Sequence, residues 1–326
     1  MRHLITGGNG FVGVHLAAAL VRADGPSRRR ALVWGAANRA ELADHDPDLE
    51  VVEADLRRPQ EVRAAVAGFA ADRVYHLAAA ASVGASWRRP TLAFEVNVLG
   101  TLNLFTELRA AGAPTRVVVP TSGEVYGRSA QGTRCTEDHP LAPLSPYAVS
   151  KAAQDLLAGQ ESASGGLQTV RLRLFNHTGP GRPAEFAESS FARQIAAAEL
   201  GLAEARVEVG NLEAVRDFTD VRDVARAYLL AAELGKTGAA YNVCSGRPVT
   251  LAEVLDRLRR MARVAVEVTV DPDRLRPAEV PVLVGDPSRF AARTGWRASI
   301  PLERTLEDLL DHWRKTLTRE LDRPSP

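Results

Sequence analysis

Tyr147 and Lys151 are the residues whose types and spacing most directly indicate chemistry in this sequence. They are the first and last residues of the segment YAVSK, and side chains four residues apart share one face of a helix. An ammonium group beside a phenol lowers the pKa of the phenol, so Tyr147 could act as a general acid or base near neutral pH. Ser122 ends the predicted strand 116–120, where its hydroxyl could hold a carbonyl oxygen. The sequence therefore predicts Ser122, Tyr147 and Lys151 as catalytic residues, although a Tyr–Lys pair alone also occurs on ordinary exposed helices.

A glycine-rich turn near the N-terminus predicts a dinucleotide-binding site. The glycines follow the predicted strand 2–6 directly and precede a helical pattern. Glycine lets the backbone turn tightly and approach a pyrophosphate, while the first N–H groups of the helix face the anion. Tight turns also select glycine, but the position between a strand and a helix favours the cofactor. The residues expected at the pyrophosphate are Gly7, Gly10, Phe11, Val12 and Gly13.

Two further segments are candidates for contact with the cofactor. Asp55 and Leu56 follow the third predicted strand, where the carboxylate could accept a hydrogen bond from an adenine amino group. An N-cap or turn aspartate is the alternative. The small residues in Leu77-Ala78-Ala79 end the fourth strand and would let a cofactor lie flat against the backbone, unless they only serve packing.

The end of the second strand bears on the choice of cofactor. A carboxylate usually holds the free ribose 2′-hydroxyl of NAD(H) at this point. Here no acid occurs before Glu41, and Asn38 and Arg39 could meet a 2′-phosphate instead. We therefore expect NADPH as the cofactor, with NADH as the alternative, and Arg39 as a cofactor contact.

Composition excludes several classes of function. The net charge of +1 and 6% aromatic residues do not favour nucleic acid or a membrane surface. The cluster Arg28–Arg30 is interpreted as a solvated loop before a strand. The two cysteines have no metal-type spacing, so we expect no metal. No apolar run approaches the roughly 18 residues that span a bilayer, and no signal peptide precedes the first strand. These features predict a cytoplasmic protein.

Short apolar runs alternate with helical patterns through the first half of the chain. Strands are predicted at 2–6, 31–34, 49–53, 73–78, 116–120 and 169–175. Such alternation predicts an α/β fold with a doubly wound parallel sheet, Rossmann-like and covered on both faces. Farther along, helices are predicted at 189–200, 224–234 and 302–315, a strand at 240–243, and a helix plus a strand within 250–270. We expect a cofactor domain over 1–175, to which 213–245 returns, and a smaller C-terminal substrate-binding lobe over 176–326.

These motifs together resemble the extended short-chain dehydrogenase/reductases that act on nucleotide sugars. The resemblance covers almost the whole chain and is carried by residues 6–13, 55–56, 76–79, 97–101, 121–127, 145–151, 216–218 and 242–243. It implies that Ser122, Tyr147 and Lys151 are catalytic and that Asn97 helps to bind the cofactor. It also implies a homodimer formed by helices near 91–111 and 147–160. The residues that it assigns to the nucleotide-sugar substrate are Ser122, Glu124, Asn176, Arg193, Asn211, Arg216, Arg276 and Glu279.

Within that family, the C-terminal half is most similar to reductases of GDP-4-keto-6-deoxy-D-mannose, which form GDP-D-rhamnose. The similarity lies in RLFNHTGPG at 173–181, FARQIA at 191–196, VGNL at 209–212, RDFTDVRDV at 216–224, YNVCSG at 241–246 and LRPAEVP at 275–281. It implies reduction of a C4 ketone. A GDP-mannose dehydratase remains an alternative because Glu124 follows Ser122 closely, and an epimerase would use the same Tyr and Lys. A cofactor-binding protein without activity is a further alternative, although such relatives generally lose the Tyr or the Lys.

Overall fold

A computed structural model describes residues 1–24, 27–127, 133–275 and 280–322 of the chain. The strands that it contains, in chain order, are β1 (Arg2–Thr6), β2 (Arg28–Val33), β3 (Glu50–Glu53), β4 (Arg73–His76), β5 (Arg116–Ser122), β6 (Gln168–Leu174), β7 (Asn176–Thr178), β8 (Arg206–Val209), β9 (Val215–Asp220), β10 (Ala240–Val243), β11 (Pro248–Thr250), β12 (Glu267–Val270) and β13 (Val282–Leu283).

The helices alternate with these strands through most of the chain. In chain order they are α1 (Phe11–Asp24), α2 (Arg39–His45), α3 (Pro59–Val66), α4 (Val83–Arg88), α5 (Pro90–Phe94), α6 (Gly100–Ala110), α7 (Pro146–Ala163), α8 (Ala187–Glu199), α9 (Val221–Leu234), α10 (Leu251–Met261), α11 (Ser288–Thr294) and α12 (Leu302–Leu321). A π-helical turn, Glu95–Leu99, joins α5 to α6.

The main sheet confirms the predicted α/β architecture. Across the described residues it has seven strands in the order β10-β6-β5-β4-β1-β2-β3, and every neighbouring pair is parallel. One apolar core packs α1 and α9 on one face, with Leu16 and Tyr228 fully buried. A second core packs α3, α6 and α7 on the other, around Leu104 and Phe105. A sheet covered on both faces needs apolar side chains in both directions, and this explains its continuous apolar runs.

The second lobe is built from later segments of the chain. β9 pairs with β7, β11 and β13, and β8 pairs with β12 in a separate two-stranded sheet. Helices α8, α10 and α12 enclose the core of this lobe, which includes Phe191, Ile195 and Leu309. Within 213–245, β9 belongs to this lobe, whereas α9 packs on α1 and β10 pairs with β6 at the edge of the main sheet.

The interpretation of Arg28–Arg30 as a loop is wrong. These residues form the first half of β2 and pair in register with β1. Arg29 is buried and ion-paired with Asp46, and Arg30 donates hydrogen bonds to Ala65 O and Glu50. Charged residues can occupy a buried strand when their groups are paired, and a pairing partner 17 residues away in the chain leaves no local signal in the sequence.

Among the described residues, no helix has the length and apolar character that a bilayer-spanning segment requires.

Candidate active site

The glycine-rich turn leaves no room for side chains at two of its three positions. Gly7 has φ +67°, and a Cβ there would lie 2.8 Å from the Cα of Ala78. At Gly13 a Cβ would lie 2.4 Å from the carbonyl oxygen of Gly8, so α1 packs directly on the turn. At Gly10 a Cβ would lie 3.1 Å from Gly7 O. This bare turn ending in a helix N-terminus fits a dinucleotide pyrophosphate.

A cleft of about 640 Å³ opens beside this turn, between the carboxyl edge of the main sheet and the second lobe. One side, the sheet wall, contains residues from 7–13, 77–79, 120–124 and 147–151. The other side, the lobe wall, contains residues from 176–188 and 208–218. Carboxyl ends of parallel strands are the usual place for ligands in such folds. The predicted residues that line the cleft are Gly7, Gly10, Phe11, Val12, Gly13, Leu77, Ala79, Ser122, Glu124, Tyr147, Lys151, Asn176, Asn211 and Arg216.

Ser122 and Tyr147 meet on the sheet wall. Ser122 is the last residue of β5, and its hydroxyl accepts a hydrogen bond from the backbone N–H of Glu124 at 3.2 Å. Ser145 caps the N-terminus of α7 by accepting from Ala148 N at 3.1 Å, and this helix start places Tyr147 in its first turn. The Ser122 hydroxyl lies close enough to the Tyr147 phenol to lower the pKa of that phenol by hydrogen bonding. Two hydroxyls at one point of the cleft can both donate hydrogen bonds to a single substrate oxygen.

The pKa of Tyr147 is raised, whereas the Tyr–Lys spacing predicts that it is lowered. Burial raises the pKa of Tyr147 to about 12; the hydrogen bond with Ser122 and the charge of Arg182 oppose that rise, and the charge of Glu124 adds to it. The Lys151 ammonium points elsewhere, donating to Pro120 O at 2.8 Å and to Gln154 Oε1 at 2.6 Å. Desolvation of the phenolate therefore dominates. A phenol with this pKa stays protonated at neutral pH and is suited to donating a proton.

Lys151 is itself almost completely buried in α7. Desolvation lowers the pKa of its ammonium to about 7, and only the charge of Asp155 opposes this. Asp155 also forms ion pairs with Arg171 and Arg173, so its charge is not available to Lys151 alone.

A buried hydrogen-bond network connects Lys151 to the first strand. Gln154 accepts from Lys151 and donates to Thr101 Oγ1 at 2.8 Å. Thr101 donates to Asn97 O, so the 2.8 Å contact with His76 Nε2 is a bond that His76 donates. The other nitrogen of His76 then accepts from Thr6 Oγ1, also at 2.8 Å. Burial lowers the pKa of His76 to about 3, and the neutral ring this network requires is therefore stable.

Six of the predicted site residues lie outside the cleft lining. Arg39 is ion-paired with Glu53, and Asp55 is ion-paired with Arg57, which holds the pKa of Asp55 below its usual value. Asn97 is fully buried and bonds both backbone groups of Ala80. Arg193 is exposed and lies over the ring of Trp313, 5.8 Å from its centroid. Leu56 and Ala78 also do not line the cleft.

Arg216 lines the lobe wall and is buried in β9. It donates to Val215 O and Val280 O, at 2.9 and 2.8 Å. The carboxylates that could have made it a purely structural ion pair have other partners: Asp217 accepts from Ser245 and from backbone N–H groups, and Asp220 accepts from Arg222 and Thr305. The two remaining predicted substrate residues, Arg276 and Glu279, lie outside the described residues.

Two residues of this region were missed by the sequence analysis. Gln154 connects Lys151 to the buried network, and Arg182 lines the cleft on the lobe wall. The spacing of Gln154 three residues after Lys151, on the same helix face, was an available signal. Arg182 follows Gly179-Pro180-Gly181, a loop sequence that does not reveal which way its side chain points. No group of three potential metal ligands occurs among the residues described.

Comparison with known proteins places the chain among nucleotide-sugar enzymes. A family model described as GDP-mannose 4,6 dehydratase matches residues 4–309. GDP-6-deoxy-D-mannose reductase from Pseudomonas aeruginosa is 35% identical over 323 residues, which cover 98% of this chain and 99% of that protein. The structure of RMD from Pseudomonas aeruginosa complexed with NADPH has a TM-score of 0.84 at 35% identity, covering 97% of this chain and 99% of that one. The UDP-glucose 4-epimerase of Thermus thermophilus, in complex with NAD, has a TM-score of 0.86 at 32% identity, with coverage of 96% and 99%.

Proposed function

This chain belongs to the family described as GDP-mannose 4,6 dehydratase, among the extended short-chain dehydrogenase/reductases of nucleotide sugars, and we propose that it is an NADPH-dependent reductase. Its substrate is GDP-4-keto-6-deoxy-D-mannose, whose C4 ketone becomes a hydroxyl to give a GDP-6-deoxyhexose, GDP-D-rhamnose. The observation that carries this proposal is that Ser122, Tyr147 and Lys151 line the same cleft as the glycine-rich turn.

Side chains of this protein supply the proton and the hydrogen bond that the reduction requires. A bound dihydronicotinamide cofactor would supply the hydride for the ketone carbon. Tyr147 donates its phenolic proton to the oxygen that becomes negative, and Ser122 donates a hydrogen bond to the same oxygen. Donors already aimed at the developing charge stabilise the transition state more than the ground state. Lys151, which lines the cleft, would hold the nicotinamide ribose of the bound cofactor.

NADPH is the preferred cofactor, and NADH is the alternative. Asn38 and Arg39 lie at the start of α2, after the loop that follows β2, and the Arg39 guanidinium is 39% exposed despite its ion pair with Glu53. A partly exposed ion pair contributes little stability, so its guanidinium can turn to a 2′-phosphate at small cost. The relative of known structure with 35% identity was solved with NADPH, while the epimerase was solved with NAD.

The lobe over 176–326 binds the nucleotide sugar in this proposal. Asn176, Asn211 and Arg216 line its side of the cleft together with Glu124 of the sheet wall. Arg216 suits a diphosphate, because a guanidinium presents a fork of donors to phosphate oxygens.

The protein acts as a cytoplasmic homodimer. Apolar side chains that would otherwise face water cluster on the predicted pairing helices: Phe94, Leu99, Leu102, Val149 and Leu156 are each about 40–60% exposed. Packing α5 to α7 against a second copy would bury them. Light scattering of Leu99→Glu and Leu156→Glu variants tests this, because the charges should produce a monomer.

Dehydration of GDP-mannose is the second candidate function. Glu124 is half-buried and lines the cleft, and its charge acts on the Tyr147 phenol. A carboxylate at this place could take part in the elimination of water from a sugar. One relative, a GDP-mannose 4,6-dehydratase from Sordaria araneosa, is 30% identical over 73% of the chain.

An absorbance assay for NADPH oxidation distinguishes the two functions. Purified protein is given NADPH, then NADH, with freshly prepared GDP-4-keto-6-deoxy-D-mannose, and the product is examined by NMR. Reductase activity predicts cofactor oxidation that depends on the ketone, and NMR assigns the C4 configuration. Conversion of GDP-mannose to a keto sugar without oxidation of added NADPH would instead establish a dehydratase.

A further inference from the structure

A second cavity lies at the free edge of the main sheet, away from the cleft. It has a volume of about 650 Å³ and no lining residue in common with the cleft. Strand β6, the outer strand β10 and helix α11 contribute to its walls. We call this cavity the edge pocket. Its charged lining residues are the cations Arg171, Arg173, Lys236, Arg289 and Arg293 and the carboxylates Glu137 and Asp138.

Positive charge exceeds negative charge in the edge pocket. Arg171 and Arg173 share the single carboxylate of Asp155, at 2.8 and 3.0 Å. Arg289 is ion-paired with both carboxylates of the lining, at 3.4 and 2.6 Å. Two lining cations, Lys236 and Arg293, are left without an ion pair among the residues that the structure describes.

Lys236 and Arg293 carry donors that the folded chain does not use. Lys236 is exposed, and its ammonium has no acceptor in the described ranges. Arg293 donates from Nε to Leu234 O, at the end of α9, at 2.6 Å, but its Nη groups have no acceptor in those ranges. A cation at the C-terminus of a helix is stabilising. This accounts for the Nε contact and leaves the Nη groups and Lys236 without a structural role.

Further positive charge lies beside these two cations. Burial lowers the pKa of the Arg116 guanidinium, and the charges of Arg73 and Arg293 lower it further. Arg116 also donates to Gly235 O, next to Lys236 in the chain. Like charges held close together repel one another, and an anion bound among them relieves that repulsion.

A backbone N–H group adds a further donor to the edge pocket. On the free side of β10, Asn242 N donates to Glu137 Oε1 at 2.7 Å. The N–H of Ala240, two residues earlier in the strand, points to the same side. The structure shows no acceptor for it within the described part of the chain. Ammonium, guanidinium and backbone N–H donors are the groups with which proteins hold phosphate oxygens.

We propose that the edge pocket binds a small phosphate-bearing anion through Lys236, Arg293 and the N–H of Ala240. Its volume is within the range of small-molecule sites. Inorganic phosphate and the phosphate groups of a nucleotide share this chemistry, and competition between them distinguishes the two sources. The site goes beyond the proposed reductase function, since it requires neither the cleft nor turnover.

Chemical labelling can locate the bound anion, because lysine occurs only at positions 151, 236 and 315. The protein is incubated with pyridoxal 5′-phosphate, whose aldehyde condenses with a lysine amine, with loss of water, to an imine. Borohydride reduces this imine to a stable secondary amine. Pyridoxal, which lacks the phosphate, is the matched reagent. Peptide mass spectrometry then gives the labelled fraction of each lysine.

A phosphate site at Lys236 predicts a preference of this residue for the phosphate-bearing reagent. Labelling should be about 10-fold or more greater than with pyridoxal, since a charge-assisted hydrogen bond contributes at least that factor in affinity. Exposed Lys315 should react similarly with both reagents. Arg293→Gln should remove most of the preference at Lys236. Arg206→Gln, which changes an exposed arginine paired with Glu204, should keep it and serves as the matched control.

Inorganic phosphate and GDP are then added as competitors in separate experiments. Protection of Lys236 by inorganic phosphate identifies a general phosphate site, and protection by GDP alone identifies a nucleotide. Equal labelling of Lys236 by the two reagents overturns the proposal, and so does a preference that persists in folded Arg293→Gln or in the presence of both competitors. Circular dichroism establishes that the variant is folded, and the wild-type comparison of the two reagents is decisive even if it is not.

Discussion

The two walls of the cleft differ in how their polar groups are used. On the sheet wall, Lys151 is bonded to Pro120 and Gln154, and the network continues through Thr101 to His76. On the lobe wall, the side-chain amide of Asn176 and the Nη groups of Arg182 have no hydrogen-bond partner in the described ranges. The network around Lys151 is complete before any ligand arrives, whereas Asn176 and Arg182 present donors that a ligand can use.

This difference has an energetic meaning. Buried polar groups that satisfy one another rigidify their surroundings, and losing one leaves the others unpaired at a cost of about 1–3 kcal/mol. Removing a group that faces solvent in a cleft costs little stability, but it lowers the affinity for a ligand that the group contacts. Substitutions in the sheet wall's network should therefore reduce stability, and substitutions in the lobe wall should reduce affinity.

Tyr147→Phe should have the largest effect on activity. It removes the proposed proton donor and leaves the network intact, because the side-chain partners of Lys151 are Pro120 O and Gln154. We expect kcat to fall by about 100- to 10,000-fold, the usual contribution of a general acid, with NADPH affinity and thermal stability nearly unchanged. Near-normal turnover measured by NADPH oxidation would remove Tyr147 from the mechanism.

Gln154→Leu should show that the buried hydrogen bonds of the sheet wall depend on one another for stability. The change removes the acceptor of Lys151 and the donor to Thr101, both buried. Urea denaturation should give a free energy of unfolding lower by about 1–3 kcal/mol. Gln154→Glu keeps an acceptor for Lys151 and should raise the pKa of its ammonium, which a shift in the pH profile of kcat would reveal. If Gln154→Leu is as stable as wild type, the network is not a source of rigidity.

Lys151 should make stability depend on pH in a defined window. The pKa of Lys151 is about 7 in the folded protein against the ordinary lysine value of 10.5, so between these values the unfolded chain binds more protons. The free energy of unfolding should then rise with pH. Relative to Lys151→Met, wild type should gain roughly 2 kcal/mol from pH 7 to about pH 9, below the ionisation of the tyrosines. Parallel curves for the two proteins in urea would show that Lys151 is not desolvated.

Asn176→Ala should have the smallest effect on stability and still be visible in binding. No hydrogen bond of the described chain depends on its side chain, so the free energy of unfolding should change by no more than about 0.5 kcal/mol. The KM for the nucleotide sugar should rise several-fold at saturating NADPH, with kcat little altered. A loss of stability like that expected for Gln154→Leu would contradict the distinction between the walls.

The regular part of the fold could be predicted from local patterns. Strand β1 matches its predicted bounds, and so does β10, although its pairing with β6 could not be predicted. Helix α12 continues to Leu321, beyond the predicted end at 315, because an amphipathic pattern does not mark its own last turn. Arg193 lies on the exposed side of α8 against Trp313, although the resemblance assigns it to the substrate. A sequence motif predicts which residue types occur at which positions. The direction of each side chain depends on which helix face is buried.

The sequence by itself determined the parallel α/β sheet, the bare glycine turn and the spacing of Ser122, Tyr147 and Lys151, the residues that we propose as catalytic, because these depend on periodicity and on spacing within single elements. Only the tertiary structure decided how the charges act. Lys151 turns to Gln154 and Pro120, burial holds the Tyr147 phenol protonated, and Arg182 enters the cleft opposite the turn. Desolvation and contacts between distant segments set these properties, and both arise only when the chain packs into its tertiary structure.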